Sequence, residues 1–177
     1  MKALLDQMLR DSSVYYVPEG LPGRTPLLNE LAKQSGDVWE RLSPIQSFFV
    51  FETEPEYLKK APREVAQAAY CAAMEVLPGD WWGSYGSPSS DTSQRLLAIE
   101  GIDACLRWQL DNERPVTMGD SEPATLAKLE KFQVADLAAL FLAAKHGLPY
   151  RLHDSPPDRK ARREAMKREI AQQAARP

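Results

Sequence analysis

The stretch APREVAQAAYCAAMEVLPG, residues 61–79, constrains this chain more than any other. Between Pro62 and Pro78 it holds no Pro and no Gly. It is rich in Ala, the residue that loses least on entering a helix. Proline is tolerated in a helix's first turn, where its missing N–H has no intrahelical acceptor to serve. Glycine is favoured just past the end, where Gly79 stands. Val65, Ala68, Ala69, Ala72, Met74 and Val76 are taken as the packing face, and the small Ala side chains let a neighbouring helix approach closely.

The same punctuation recurs along the chain. Leu4, Leu5, Met8 and Leu9 form a helical stripe. A loop with a short extended piece, Val14–Val17, leads to TPLLNELAKQSG, with Thr25 as N-cap, Pro26 at the first helical position and Gly36 past the end. Residues 37–49 suggest a further helix around VWERL that continues weakly past Pro44. SSDTSQRLLAIEGIDACLRWQLDNERP reads as two short helices: Ser90 or Asp91 caps the first, Gly101 marks the break, and Leu106 and Leu110 face inward. Ser121 caps the next helix. QVADLAALFLAAKHG is the most apolar helix, with Val134, Leu137, Ala138, Phe141 and Leu142 facing the core and Gly147 ending it. The last helix, after Ser155, is charged; Met166 and Ile170 are its docking residues, and the rest of its surface is expected in water. No alternating strand pattern repeats, so the expectation is an all-α chain, a helical bundle or short α-solenoid of about seven to nine helices. Residues 1–150 are expected to form a single domain, and 151–177 a basic helix packed on it or extending from it.

Charge is uneven. Residues 151–177 hold eight of the 22 Lys and Arg and four of the 25 Asp and Glu, a net of +4; the remainder holds 14 and 21, a net of −7. An acidic body argues against binding the phosphate backbone of nucleic acid and for a basic partner. No apolar run is long enough to span a membrane. The N-terminus lacks the uninterrupted apolar core of a secretory signal, which points to the cytoplasm. Cys71 and Cys105 lie inside apolar helical patterns with no second thiol pair and only two histidines, so no zinc set is expected; they read as buried free thiols.

The run from WWG (81–83) through residues 96–139 resembles HEAT-like helical-repeat segments of bacterial proteins, over about 60 residues, a third of the chain. There a Trp-rich turn precedes a helix pair, matched here by Gly101, Ala104 and Leu110–Asp111. A turn follows, matched by Gly119, Ser121, Glu122, Ala124 and Thr125 with Asp120 inserted. The next helix begins as Gln133, Val134, Ala135, Asp136, Leu137 and Ala138 do, with Gln133 standing where those proteins carry Arg. The resemblance implies a packing scaffold of degenerate HEAT-like helix pairs and no particular chemistry.

Candidate chemistry is sparse. His146 and His153 are the only imidazoles, and neither sits in a nucleophile motif; His146 reads as a cation at a helix C-terminus. Glu52, Glu54 and Glu56 alternate in FETEPEY and read as a solvated helix-cap region. Asp136 inside the most apolar helix needs partners, expected from the turn at Gly119–Ser121 or from Arg95 or Arg107. In GDWWGSYGSPSSD, Trp81 and Trp82 are structural residues, with Trp82 as a plug into the core. The basic run 159–168 lacks the aromatic residues that stack on bases. The preferred reading is a non-enzymatic protein-binding protein without cofactor or metal, most sharply an immunity protein that neutralises a basic bacterial toxin domain. Its candidate contacts are Glu52, Glu54, Glu56, Tyr57, Trp39, Asp80 and Tyr85. The alternatives are a small helical enzyme or ligand-binding protein with a pocket near Trp82, Asp136 and His146, or an adaptor or chaperone of a secretion system.

Overall fold

Pro44 begins a helix instead of interrupting one. Ser43 supplies the reason: its Oγ accepts from the Gln46 N–H at 3.4 Å, and Gln46 Oε1 accepts from the Ser43 N–H at 2.9 Å. This reciprocal capping satisfies two donors that the first turn leaves orphaned. The computed structural model describes residues 39, 42–84, 87–119 and 121–174. The stripe at Leu4–Leu9, the piece at Val14–Val17, the helix capped by Thr25 and candidate Tyr85 lie outside them.

The described elements are α1 Pro44–Thr53, α2 Glu56–Lys60, α3 Arg63–Val76, a 3₁₀ turn at Gly79–Trp82, α4 Asp91–Ala98, α5 Asp103–Gln109, α6 Ser121–Leu129, α7 Val134–His146 and α8 Pro156–Ala174. The fold is all-α: the described residues contain no strand, and a lone bridge joins Pro115 to Gln133. No helix among them is long and apolar enough to cross a membrane. The chain divides into two compact units, residues 1–70 and 71–177, a boundary that falls within the span of α3, and α8 belongs to the second.

In the first unit, α1 buries Phe48, Val50 and Phe51. Phe48 meets Tyr70 edge-on at 5.1 Å, and Trp39 lies 5.1 Å from Phe51. Such edge-on and tilted pairs suit the ring quadrupoles. The α3 face differs from the expected one. Ala66, Ala69, Tyr70, Ala73 and Met74 are buried, while Ala68 and Val76 are exposed. The packed stripe is rotated by about one residue because Tyr70 buries more area than any Ala or Val beside it.

In the second unit, α7 is the hub, packing against α5, α8 and α4. Its residues 134–142 are all buried, including the five expected core positions. Gly147 ends it at φ 65°, a left-handed conformation that costs Gly little. Ser90 caps α4, accepting from the Ser93 N–H at 3.1 Å. Gly79 permits a close approach: its N–H donates to the Thr117 carbonyl at 2.7 Å, and a Cβ there would clash with Met118 Sδ.

Two expectations are corrected. Cys71 and Cys105 are not free thiols: they form a disulfide joining α3 to α5, with Cα atoms 6.0 Å apart. The polar positions of α8 are not all solvated: Arg159 and Arg163 are buried beside Met166 and Ile170.

Candidate functional site

Asp136 is fully buried at the third position of α7, where a carboxylate must be compensated. Its Oδ2 accepts from the Gln133 N–H at 3.1 Å, the N-cap donor that α7 would otherwise leave orphaned. Its Oδ1 accepts from the Tyr150 hydroxyl at 2.6 Å and from Arg163, and Arg159 Nε stands 3.3 Å away. The expected partners were different: the Gly119 N–H is taken by Asp80 Oδ2 at 2.5 Å, and the arginines come from α8.

Two guanidinium groups around one carboxylate leave an excess positive charge. Arg159 places it against main-chain carbonyls, donating to Leu152 at 2.8 Å, Asp154 at 2.9 Å, Glu130 at 2.5 Å and Lys131 at 3.3 Å. Glu130 and Lys131 follow the end of α6, the negative pole of that helix. Their turn is a Schellman motif: Phe132 N–H donates to the Ala127 carbonyl at 2.7 Å and Lys131 N–H to Lys128 at 3.3 Å. Lys131 takes the left-handed position, φ 52°, that Gly usually fills. The network locks α8 to the start of α7 and the end of α6. Burial, then the Asp136 charge, pushes the Tyr150 hydroxyl well above the ordinary phenol range, so it stays a donor.

At the other end of α7, His146 Nε2 lies 2.7 Å from Asp103 Oδ2, and Lys145 Nζ 2.7 Å from Asp103 Oδ1. Burial opposes charge on Asp103, but Lys145 and His146 outweigh it and hold the carboxyl below its ordinary range. His146 is thus tied to the first turn of α5 and is more than a charge at a helix end.

Trp82 is 1% exposed and meets Phe141, midway along α7, edge-on at 5.7 Å. The carbonyls of its turn are met by α4: Ser90 Oγ donates to Trp81 at 2.7 Å, and Ser93 Oγ to Trp82. Trp81 is half-buried. The three residues of the alternative pocket are therefore spread out, with Asp136 and His146 on α7 and Trp82 packed against its middle. Asp136 and His146 are ten residues apart on α7, about 15 Å at the helical rise, with the Trp82 contact between them. They do not converge on one atom.

In the first unit, the acidic segment spans the junction of α1 and α2. Glu52 lies in the last turn of α1 and accepts from the Tyr70 hydroxyl at 2.6 Å. Glu54 is the C-cap of α1, and Glu56 opens α2, where it pairs with Lys59 at 3.1 Å. Tyr57 is half-buried with its ring 6.5 Å from Trp39, and burial followed by the Glu54 charge pushes its hydroxyl above the usual phenol range. Trp39 is buried and serves that cluster. Asp80 belongs to the second unit, on the exposed side of its turn. Among the described residues no group of three or more His, Cys, Asp and Glu side chains is arranged to hold a metal ion.

Sequence reasoning missed Arg159, Arg163 and Asp103. A signal for the arginines exists: Arg159, Arg163, Met166 and Ile170 fall at helical spacing on the face already assigned to docking.

Comparison with family models, with curated proteins and with solved structures finds no match.

Proposed function

We propose that this chain acts by binding another protein, as an immunity protein that neutralises a cognate bacterial toxin. The observation that carries this reading is the use to which its best chemical groups are put. Asp136 and His146, the side chains most suited to acid–base work, are spent on joining helices, and they stand at opposite ends of α7. A scaffold built that way offers surface. The helix pairs are taken as degenerate HEAT-like units, and the cytoplasm as the compartment.

The partner is proposed to be a basic toxin domain, met by Glu54, Glu56 and Tyr57 of the first unit. Complementary charge speeds such encounters and makes them sensitive to salt. The tail's basic charge is largely used within the second unit, where Lys160 pairs with Glu113 at 2.9 Å and Lys167 with Asp111. The first unit's acids are therefore the better contacts.

The test is co-expression with the neighbouring open reading frame, followed by pull-down and a growth assay. A complex that weakens as salt rises, with rescue from toxicity, supports the proposal. Absence of both a complex and rescue sinks it. Replacing Glu54 and Glu56 by Lys is expected to weaken the complex at least tenfold without unfolding the chain.

A further inference from the structure

We propose that Cys71–Cys105 is an exchangeable disulfide, at which a dithiol reductant opens the link between α3 and α5 in the folded protein. This goes beyond the binding reading and does not depend on it. Two links join these helices in the same order along both: Cys71 to Cys105, and Gln109 Nε2 donating to Glu75 Oε1 at 2.8 Å. The helices therefore run in the same sense there.

Their common right-handedness then decides which residues flank the bond. Ala72 and Val76 on α3 fall on the same side as Ala104 and Trp108 on α5, about 100° around each helix from the linked positions. That is the solvent side: Ala104 is exposed, Val76 is 55% exposed and Trp108 65%. On the opposite side Met74 and Leu106 are buried. Both cysteines are half-buried, and on the solvent side Ala72 and Ala104 adjoin them in sequence, with Trp108 one turn beyond Cys105. A thiolate would approach the bond from this side.

One thiolate of the reductant attacks a cysteine sulfur and forms a mixed disulfide, while the other cysteine departs as thiolate. The reductant's second thiol displaces the first cysteine and closes its own disulfide. Two electrons pass to the protein, and two protons end on Cys71 and Cys105. Opening the link leaves α5, seven residues long, held by packing, by the Asp103 contacts with Lys145 and His146, and by Gln109, whose amide also lies 3.8 Å from Cys71 Sγ. So short a helix has little stability of its own. In the proposed cytoplasm the link stands open at rest and closes under oxidation; only this last clause rests on that compartment.

The experiment uses the full chain purified without reductant, with dithiothreitol as probe and acid quench, thiol alkylation and intact mass as readout. The bond is expected to open at millimolar dithiothreitol in native buffer and to re-form on oxidation. Opening should lower Tm by roughly 10 °C, given the 34-residue separation, and speed hydrogen exchange in residues 71–76 and α5. The Cys71→Ser, Cys105→Ser double variant should melt as the reduced protein does. A bond that yields only after denaturation overturns the proposal, as do two thiols that never pair on oxidation. A reduced protein with unchanged Tm and exchange overturns the role given to the link. If the double variant fails to fold, the native reduction still decides.

Discussion

Helices α7 and α8 are packed against each other and reach the interior by opposite means. Residues 134–142 of α7 are buried, and among them Asp136 is the single charge. By contrast, α8 is charged along its length, yet it buries Arg159, Arg163, Met166 and Ile170. The first helix needs a place to put apolar area. The second needs a specific counter-charge, and finds it in that one carboxylate. An amphipathic helix can thus have a docking face in which half the residues are cations, provided they meet a counter-charge and main-chain carbonyls.

The comparison breaks most sharply at Asp136. Asp136→Ala leaves two buried guanidinium groups uncompensated and is expected to cost about 3–5 kcal/mol in denaturant unfolding, with α8 exchanging first. Met166→Ala deletes apolar packing on the same face and should cost about 3 kcal/mol. If Met166→Ala proves the more damaging, α8 is held by apolar contact and the ionic account fails.

The other end of α7 offers a milder contrast. Asp103→Asn should cost about 1 kcal/mol at neutral pH, because its partners are partly exposed. The Asp103 carboxyl lies below its ordinary range in the folded chain. Its contribution is therefore present above about pH 4, the unfolded value, and lost as pH falls through the folded value. Stability curves of the two proteins against pH should converge in acid; a constant gap would show that the Lys145 and His146 contacts do not carry the effect. The smallest change expected is a gain. Lys131→Gly relieves a left-handed non-Gly residue at the end of α6 and should add about 0.5 kcal/mol, read as a small rise in Tm. A loss would mean that the Lys131 side chain contributes more than its backbone costs.

Much of the helical order was legible from residues alone. The breaks at Gly101 and Gly147, the cap at Ser90 and the core positions of α7 lie where local patterns place them. Elsewhere local patterns misled. Ala68 and Val76 fit an apolar stripe on α3 but lie outside it, since the largest ring, Tyr70, chose the buried face. A helix expected to run weakly past Pro44 instead begins there, because Ser43 and Gln46 cap its first turn. For the candidate sites, the need of Asp136 for partners was plain from the sequence, while Arg159 and Arg163 as those partners were not.

The sequence by itself determined several helix ends, at Ser90, Gly101 and Gly147, and that the described helices pack without a sheet, because caps and periodicity act within about four residues of chain. The tertiary structure alone decided which helices meet. It brought Cys71 to Cys105 across 34 residues, Asp103 to His146 across 43 and Asp136 to Arg163 across 27. The physical reason is that a thiol, an imidazole or a guanidinium carries no mark of its partner. A disulfide, an ion pair and a buried cation become specific only when packing puts two such groups within bonding distance.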